Sequence, residues 1–317
     1  MNQPAVIAVD VGGTTIKAAR FDEGDRATDE RVVPVTLGAA DDTIAKLIAV
    51  VDELVARART DGQPATAIGL AVPGIVDANI GVGRLSMLLG WRDVPFVSLL
   101  SSRTGLPVGL QHDVVAGALA ENASGAATGC TDWLFLALGT GLGAAFFFAG
   151  RPYRGAHGYG GELAHVVVHP GGLKCRCGKR GCAEMYCSAS ALVSRYAQQS
   201  GRPLPTAAAV IEAAATGDAT AVVVWEEAID ALAAVVAGHI ESTDPELVVI
   251  GGGLADSGPA LFGPFTERLA RRVAFAPLPP VRRAVHGARA GMLGAALTAR
   301  SARTHSYPSP GPGTFPG

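Results

Sequence analysis

Three cysteines and a histidine are gathered in one short segment, LAHVVVHPGGLKCRCGKRGCAE, from Leu163 to Glu184. His165, Cys175, Cys177 and Cys182 supply three potential thiolates and an imidazole, the donor set that zinc prefers in a tetrahedral site. Gly178 and Gly181 give the chain the freedom to fold those donors around one ion. The plainer alternative is a buried histidine among unliganded thiols. Cys130 and Cys187 fall outside the pattern and read as small buried residues. Glu162 and Glu184 flank the segment, two carboxylates that a metal of this kind does not need. A structural metal beside spare acidic groups points to a pocket wall shaped by the ion for another ligand.

Phosphate chemistry is suggested by three further motifs: Asp10-Val-Gly12-Gly13-Thr14, Gly139-Thr140-Gly141-Leu-Gly143 and Gly251-Gly252-Gly253. Each follows an apolar run, and glycines there leave backbone N–H groups open to phosphate oxygens. Thr14 and Thr140 add hydroxyl donors, and Asp10 has the chemistry to hold a water-coordinated Mg²⁺. Any one of these is ordinarily just a turn; three in this order argue for a nucleotide site.

The elements that must position these groups are legible from periodicity. Ala5–Val9 and Ile16–Phe21 read as a hairpin around the acidic glycine turn, and Leu134–Leu138 with Ala144–Phe148 repeats the unit. Residues Asp41–Arg59 place apolar positions at helical spacing, and Ala67–Val72, Pro107–Leu110 and Leu247–Ile250 read as strands. Val114–Ala123, Ser190–Gln199, Ala207–Ala215 and Ala219–His239 read as helices. Two sections that each begin strand, glycine turn, strand suggest two similar α/β lobes. The Ser-, Pro- and Gly-rich stretch from Ser301 to Gly317 is expected to be disordered.

A chain of 317 residues with 49% hydrophobic and 17% charged residues is long enough for two well-cored domains. A net charge of -2 gives no electrostatic reason to expect nucleic acid. The uncharged stretch Trp133–Gly150 approaches a membrane span in length, but its glycines and aromatic flanks fit two buried strands better. The N-terminal residues have no signal-peptide pattern, so a cytoplasmic protein without membrane partners is expected. Reduced cysteines there favour metal over disulfide.

Together the motifs resemble the sugar-kinase, actin and Hsp70 ATPase superfamily, and more narrowly the ROK family of bacterial sugar kinases and sugar-responsive repressors. The resemblance rests on DVGGT at Asp10–Thr14, AVPGIVD at Ala71–Asp77, LGTGLGAA at Leu138–Ala145, GGELAH at Gly160–His165, CRCGKRGCAE at Cys175–Glu184 and IGGGLA at Ile250–Ala255. It implies an α/β, two-lobed actin-like/Hsp70-like ATPase fold with ribonuclease H-like lobes and an interlobe cleft. The smaller lobe would take residues 1–112, with a C-terminal helix near 289–300 packing back on it; the larger would take 113–288 and carry the zinc segment. It further implies ATP with Mg²⁺, structural Zn²⁺ on His165, Cys175, Cys177 and Cys182, a small-molecule sugar as substrate, and a homodimer. Asp113 stands at the catalytic-base position, where a carboxylate accepts the proton of the attacking sugar hydroxyl; its alternative is a helix cap. Glu162, His165 and Glu184 match the positions that grip sugar hydroxyls, and Gly74 lets the backbone approach the sugar.

Two positions depart from the family pattern. His112 replaces the Asn that normally precedes the catalytic Asp, and Leu88 replaces a second Asn before Leu-Gly-Trp. By resemblance both lie on the O3 and O4 side of the sugar, where lost hydrogen bonds discriminate between substrates. An imidazole accepts from an amine as well as donating to a hydroxyl. The expectation is therefore a kinase acting on the 6-hydroxyl of a modified glucose such as the amino sugar kanosamine. An ordinary glucokinase, with His112 a neutral replacement, stays open. The family's repressors add an N-terminal helix-turn-helix; nine residues precede Asp10, so a DNA-binding role is not expected.

Overall fold

The apolar run AVIAVDV is buried along its length because it is the middle strand, β1 (Ala5–Val11), of a five-stranded sheet. The computed structural model describes residues 5–304. Within them the chain divides into two compact units. The first comprises residues up to Ala120, Gly155–Tyr159 and the chain from Arg289; the second comprises Glu121–Arg154 and Gly160–Ala288.

In the first unit, β1 is followed by β2 (Thr15–Phe21), β3 (Ala27–Pro34), α1 (Ala40–Thr60), β4 (Ala65–Val72), β5 (Ile75–Asp77), β6 (Val82–Leu85), β7 (Arg92–Val94), α2 (Phe96–Thr104), β8 (Val108–His112) and the start of α3 (Asp113–Ser124). The sheet runs β3-β2-β1-β4-β8, with β1 antiparallel to β2 and parallel to β4. Strand periodicity then sends alternate residues to opposite faces. Ile7, Val9 and Val11 join Leu47, Val51 and Leu54 of α1 in one core. Val6 and Ala8 join Ala116 and Ala120 of α3 and Ala295, Ala296 and Ala299 in another.

The second unit continues with β9 (Trp133–Leu138), β10 (Leu142–Phe148), β11 (Arg151–Tyr153), α4 (Glu184–Cys187), α5 (Ala189–Ser200), α6 (Ala207–Ala215), α7 (Ala219–Thr243), β12 (Leu247–Gly251), α8 (Pro259–Arg272) and β13 (Val281–Arg283). Its sheet runs β11-β10-β9-β12-β13, and β9 is antiparallel to β10 and parallel to β12. This is the strand order and sense of the first sheet repeated. Leu134, Leu136 and Leu138 of β9 and Val248 and Ile250 of β12 share a core with the apolar stripe of α7. The uncharged Trp133–Gly150 stretch is thus a hairpin, with Trp133 paired to Phe147. Among the described residues no helix is long and apolar enough to cross a membrane.

The final helix, α9 (Ala290–Ala302), returns to the first unit and packs on β1, β4 and β8. Its approach is close enough that a Cβ on Gly69 would overlap the Ala295 carbonyl. Ser301 and Ala302 complete α9 and Arg303 and Thr304 form a turn, so the expected disorder does not begin at Ser301. The remainder of that expected tail lies outside the described residues.

Several elements carried no clear sequence signal. Strand β3 alternates half-buried and exposed positions at the sheet edge, so it has no apolar run. The three-stranded sheet β5-β6-β7 is built of strands of three or four residues. Helix α2 is stopped by Gly105 at φ 73°, the left-handed cap that glycine tolerates best.

Candidate active site and metal cluster

In the first unit the groups gather at the ends of β1, β4 and β8. Asp10 is the penultimate residue of β1, opposite Lys17 on β2. The turn that follows is closed by the Gly12 N–H donating to the Thr15 carbonyl at 2.8 Å, while the Thr14 carbonyl accepts from Val35 at 2.9 Å. The Asp10 carboxylate lies against Gly291 in the first turn of α9, where a Cβ would come within 2.5 Å of Oδ2. Burial first, and then the negative charge of Asp113, push the Asp10 carboxyl up to about 6 despite the opposing pull of Lys17. A buried carboxylate held in that state is a ready partner for a cation. Leu88 covers the same turn: a Cβ on Gly13 would meet its Cδ2 at 2.6 Å.

Strand β8 ends with His112, paired to Val72 of β4, and Gly74 stands just beyond β4 at φ 102°, where a Cβ would overlap the Leu85 carbonyl. Asp113 is the first residue of α3. Its Oδ1 accepts the Val114 N–H at 2.7 Å. That is the adjacent residue, whereas an N-cap side chain bonds two or three residues on, so the carboxylate makes no helix-capping bond. The His112 Nε2 sits 3.2 Å from the same Oδ1. Oδ2 accepts no hydrogen bond from the described residues.

In the second unit, the β9–β10 turn carries Gly139, Thr140 and Gly141 and is closed by the Gly139 N–H donating to the Gly141 carbonyl at 3.0 Å; Gly143, expected with them, lies in β10 opposite Ala137. The neighbouring β12 ends at Gly251, paired with Ala137, and Gly252 and Gly253 follow, exposed. Gly252 has φ 82° and so little room that a Cβ would overlap the Leu138 carbonyl. The two glycine turns therefore lie side by side at the ends of adjacent strands. The Glu184 carboxylate approaches the first of them, 3.4 Å from where a Cβ on Gly141 would stand.

His165 ends a short 3₁₀ turn, Leu163–His165, and its ring faces two ways. Nδ1 is 3.6 Å from the Cys175 Sγ, and Nε2 is 3.7 Å from a Glu162 carboxylate oxygen. The Cys177 and Cys182 sulfurs are 3.6 Å apart, far beyond a disulfide bond. They match the edge of about 3.8 Å expected when two sulfurs sit about 2.3 Å from one tetrahedral zinc. Ligand atoms of His165, Cys175, Cys177 and Cys182 all lie within 4.8 Å of one another. Burial, then the neighbouring Cys177 and Cys175, push the Cys182 thiol up to about 12. Donor type and spacing both fit zinc, which binds cysteine as the thiolate. Cys187 is buried apart from the group and donates its S–H to the Ala183 carbonyl at 3.2 Å.

Supporting residues with no motif of their own hold this segment. The Tyr186 hydroxyl accepts the Leu173 N–H at 3.0 Å, and the Arg195 guanidinium lies 5.1 Å from the Tyr186 ring centre. Arg195 is buried and paired with Glu227. The one sequence signal for it was a charge on the buried stripe of α5, beside Ala191, Leu192 and Tyr196.

Two α/β units of the same strand order, each opening with a glycine-turn hairpin, define the actin-like and Hsp70-like ATPase fold. The model of the ROK family matches residues 6–302. A glucokinase of Thermotoga maritima is 35% identical over 281 residues, covering 83% of this chain and 86% of that protein. A kanosamine kinase of Amycolatopsis mediterranei is 33% identical over 305 residues, covering 94% and 97%. The crystal structure of a ROK family glucokinase from Streptomyces griseus in complex with glucose and AMPPNP superposes with a TM-score of 0.78 at 30% identity, covering 94% of this chain and 99% of that one. This chain belongs to the ROK family.

Proposed function

We propose that this ROK-type sugar kinase transfers the γ-phosphoryl of ATP to the 6-hydroxyl of a glucose-like hexose, with a modified glucose such as kanosamine as its favoured substrate. The observation that carries the reading is the Asp113 carboxylate: one oxygen is occupied by Val114 N–H and faces His112, and the other has no partner among the described residues. In the proposed reaction Oδ2 accepts the proton of the 6-hydroxyl as that oxygen attacks the γ-phosphorus. The bond from the γ-phosphorus to the β,γ-bridging oxygen breaks, and ADP leaves.

Glu162, His165 and Glu184 hold the sugar's other hydroxyls, and Gly74 admits its ring against bare backbone. The glycine turns at Gly12–Gly13, Gly139–Gly143 and Gly251–Gly253 bind the nucleotide, with Thr14 and Thr140 as hydroxyl donors. Asp10 would hold Mg²⁺, which would supply neutralisation of charge on the phosphates. His165 Nδ1 and the sulfurs of Cys175, Cys177 and Cys182 hold zinc, which stiffens the segment ending in Glu184. His165 then serves both purposes, its Nε2 remaining free for the sugar.

The substrate preference rests on His112 and Leu88. Leu88 packs its side chain over Gly13 and offers no hydrogen bond, so His112 is left as the polar group of the altered pair. An ordinary glucokinase is the second reading, favoured by the similarity to the Thermotoga and Streptomyces glucokinases. A sugar-sensing regulator is the third. A coupled ADP-release assay on glucose, kanosamine, N-acetylglucosamine and N-acetylmannosamine separates them. The proposal expects kanosamine to give the highest kcat/KM; a clear preference for glucose would establish the second reading, and sugar binding without ADP release the third.

A further inference from the structure

We infer that Ala189, at the start of α5, anchors the β9–β10 turn to the cysteine segment, so that metal occupancy and nucleotide affinity rise and fall together. This rests on the reading of that turn as a phosphate site. All the groups concerned lie within the second unit. The Ala189 N–H donates to the Gly139 carbonyl at 2.9 Å, and the Ser190 N–H reaches the Thr140 carbonyl at 3.4 Å. These are the first two amides of α5, donors that a helix leaves without an internal partner. The Ser188 hydroxyl takes the third, accepting the Ala191 N–H at 3.2 Å. In a trans peptide the C=O and the following N–H point in opposite directions. Two carbonyls held against α5 therefore turn the Thr140 and Gly141 N–H groups away from it, and neither makes a hydrogen bond among the described residues. These are the amides a phosphate oxygen would meet.

The same helix start is tied to the metal ligands. The Cys182 carbonyl accepts the Met185 N–H at 3.0 Å, the Ala183 carbonyl accepts from Tyr186 at 2.9 Å and from Cys187 at 3.1 Å, and the Glu184 carbonyl accepts from Ser188 at 3.3 Å. Between Cys182 and Ala189 the chain has no glycine or proline, and Cys182, Ala183, Tyr186, Cys187 and Ser188 are buried. A packed interior of this kind has little slack, so a displacement of Cys182 is carried to Ala189. On the other side of Cys182 stand Gly178 and Gly181, both at positive φ, and that loop relies on a shared ion to hold its ligands in place. A ligand that fixes the turn then favours the arrangement that holds the metal, and the two affinities change by one factor. Ala189 is thus a positioning residue, acting through its N–H.

The test is calorimetric titration of AMPPNP, without sugar, into zinc-loaded and chelator-stripped full-length protein, with circular dichroism confirming that both are folded. Stripping should weaken AMPPNP binding about fivefold or more, and saturating AMPPNP should tighten zinc by the same factor in chelator competition. Ala189→Pro isolates the link. Proline suits the first position of a helix, and Ser188 already has the extended φ -81° and ψ 156° that a residue before proline adopts. The substitution deletes the donor to Gly139, and its ring crowds that carbonyl. Zinc-loaded Ala189→Pro should bind AMPPNP about fivefold or more weakly than wild type, and lose under about twofold more on stripping. Ala219→Pro, at the exposed first position of α7, should behave as wild type. Equal AMPPNP affinity of loaded and stripped wild type, or undiminished coupling in Ala189→Pro, would overturn the inference. Amide exchange of the Gly139 N–H, which closes the turn, decides the matter if AMPPNP does not bind or the stripped protein unfolds. It should quicken in stripped wild type or, where that unfolds, in loaded Ala189→Pro; unchanged protection would overturn the anchoring. Absence of AMPPNP binding to loaded wild type would by itself remove the phosphate reading of the turn, and only the exchange result would bear on Ala189.

Discussion

At the scale of single residues, the proposed chemistry turns on two aspartates placed at strand ends. Asp113 was picked out by its place in the family pattern, after an apolar strand and before a helix; the 3.2 Å approach of His112 was not, since sequence does not say which ring nitrogen faces which oxygen. Asp10 gives a test with a definite sign. Its carboxyl is raised from 3.8 to about 6, so in metal-free protein its contribution to stability is full below about pH 4 and is lost as pH rises through about 6. Between about pH 4 and 6 the metal-free wild type should therefore lose more thermal stability than Asp10→Asn. Protons should also compete with Mg²⁺, weakening its apparent affinity by up to about tenfold per pH unit below 6. Parallel melting profiles of the two proteins would refute this account of Asp10.

At the scale of elements, most strands and helices with apolar periodicity were readable and the edge and three- or four-residue strands were not; α2 and α8 also went unread, although Phe96 and Leu100, and Leu261, Phe265 and Leu269, are buried at helical spacing. The same distinction separates the cysteine segment from its supports. Its ligand spacing was plain, whereas Tyr186, Arg195 and Glu227 act through contacts distant in sequence. Cys177→Ser should lower bound zinc from about one ion per chain to a small fraction by elemental analysis, and lower both thermal stability and sugar affinity. Purified wild-type protein without zinc would contradict this. Glu121 illustrates the same point within α3. It is fully buried, and its two carboxylate oxygens accept the N–H groups of Ala126, Val285 and His286. Glu121→Ala leaves those donors unpaired and should destabilise by about 3 kcal/mol or more in denaturant unfolding; a change under about 1 kcal/mol would show that they find other partners.

At the scale of the whole molecule, the strand-turn-strand duplication seen in the sequence corresponds to two sheets of identical order and sense, each with a glycine turn at its first hairpin. The last helix, which only the family resemblance led us to expect against the smaller lobe, lies on the first strands, a contact spanning most of the chain and built on small residues such as Gly69 and Ala295. In the proposed reaction the glycine turns contact phosphate and Asp113 is the carboxylate base. The most direct test of that division is Asp113→Asn, measured in parallel for ADP release and for calorimetric hexose binding. Turnover should fall by about 10²- to 10⁴-fold, as for loss of a general base, while hexose affinity changes little. ATP-dependent turnover near the wild-type rate in that variant would remove Asp113 from the reaction, and with it this account of the enzyme.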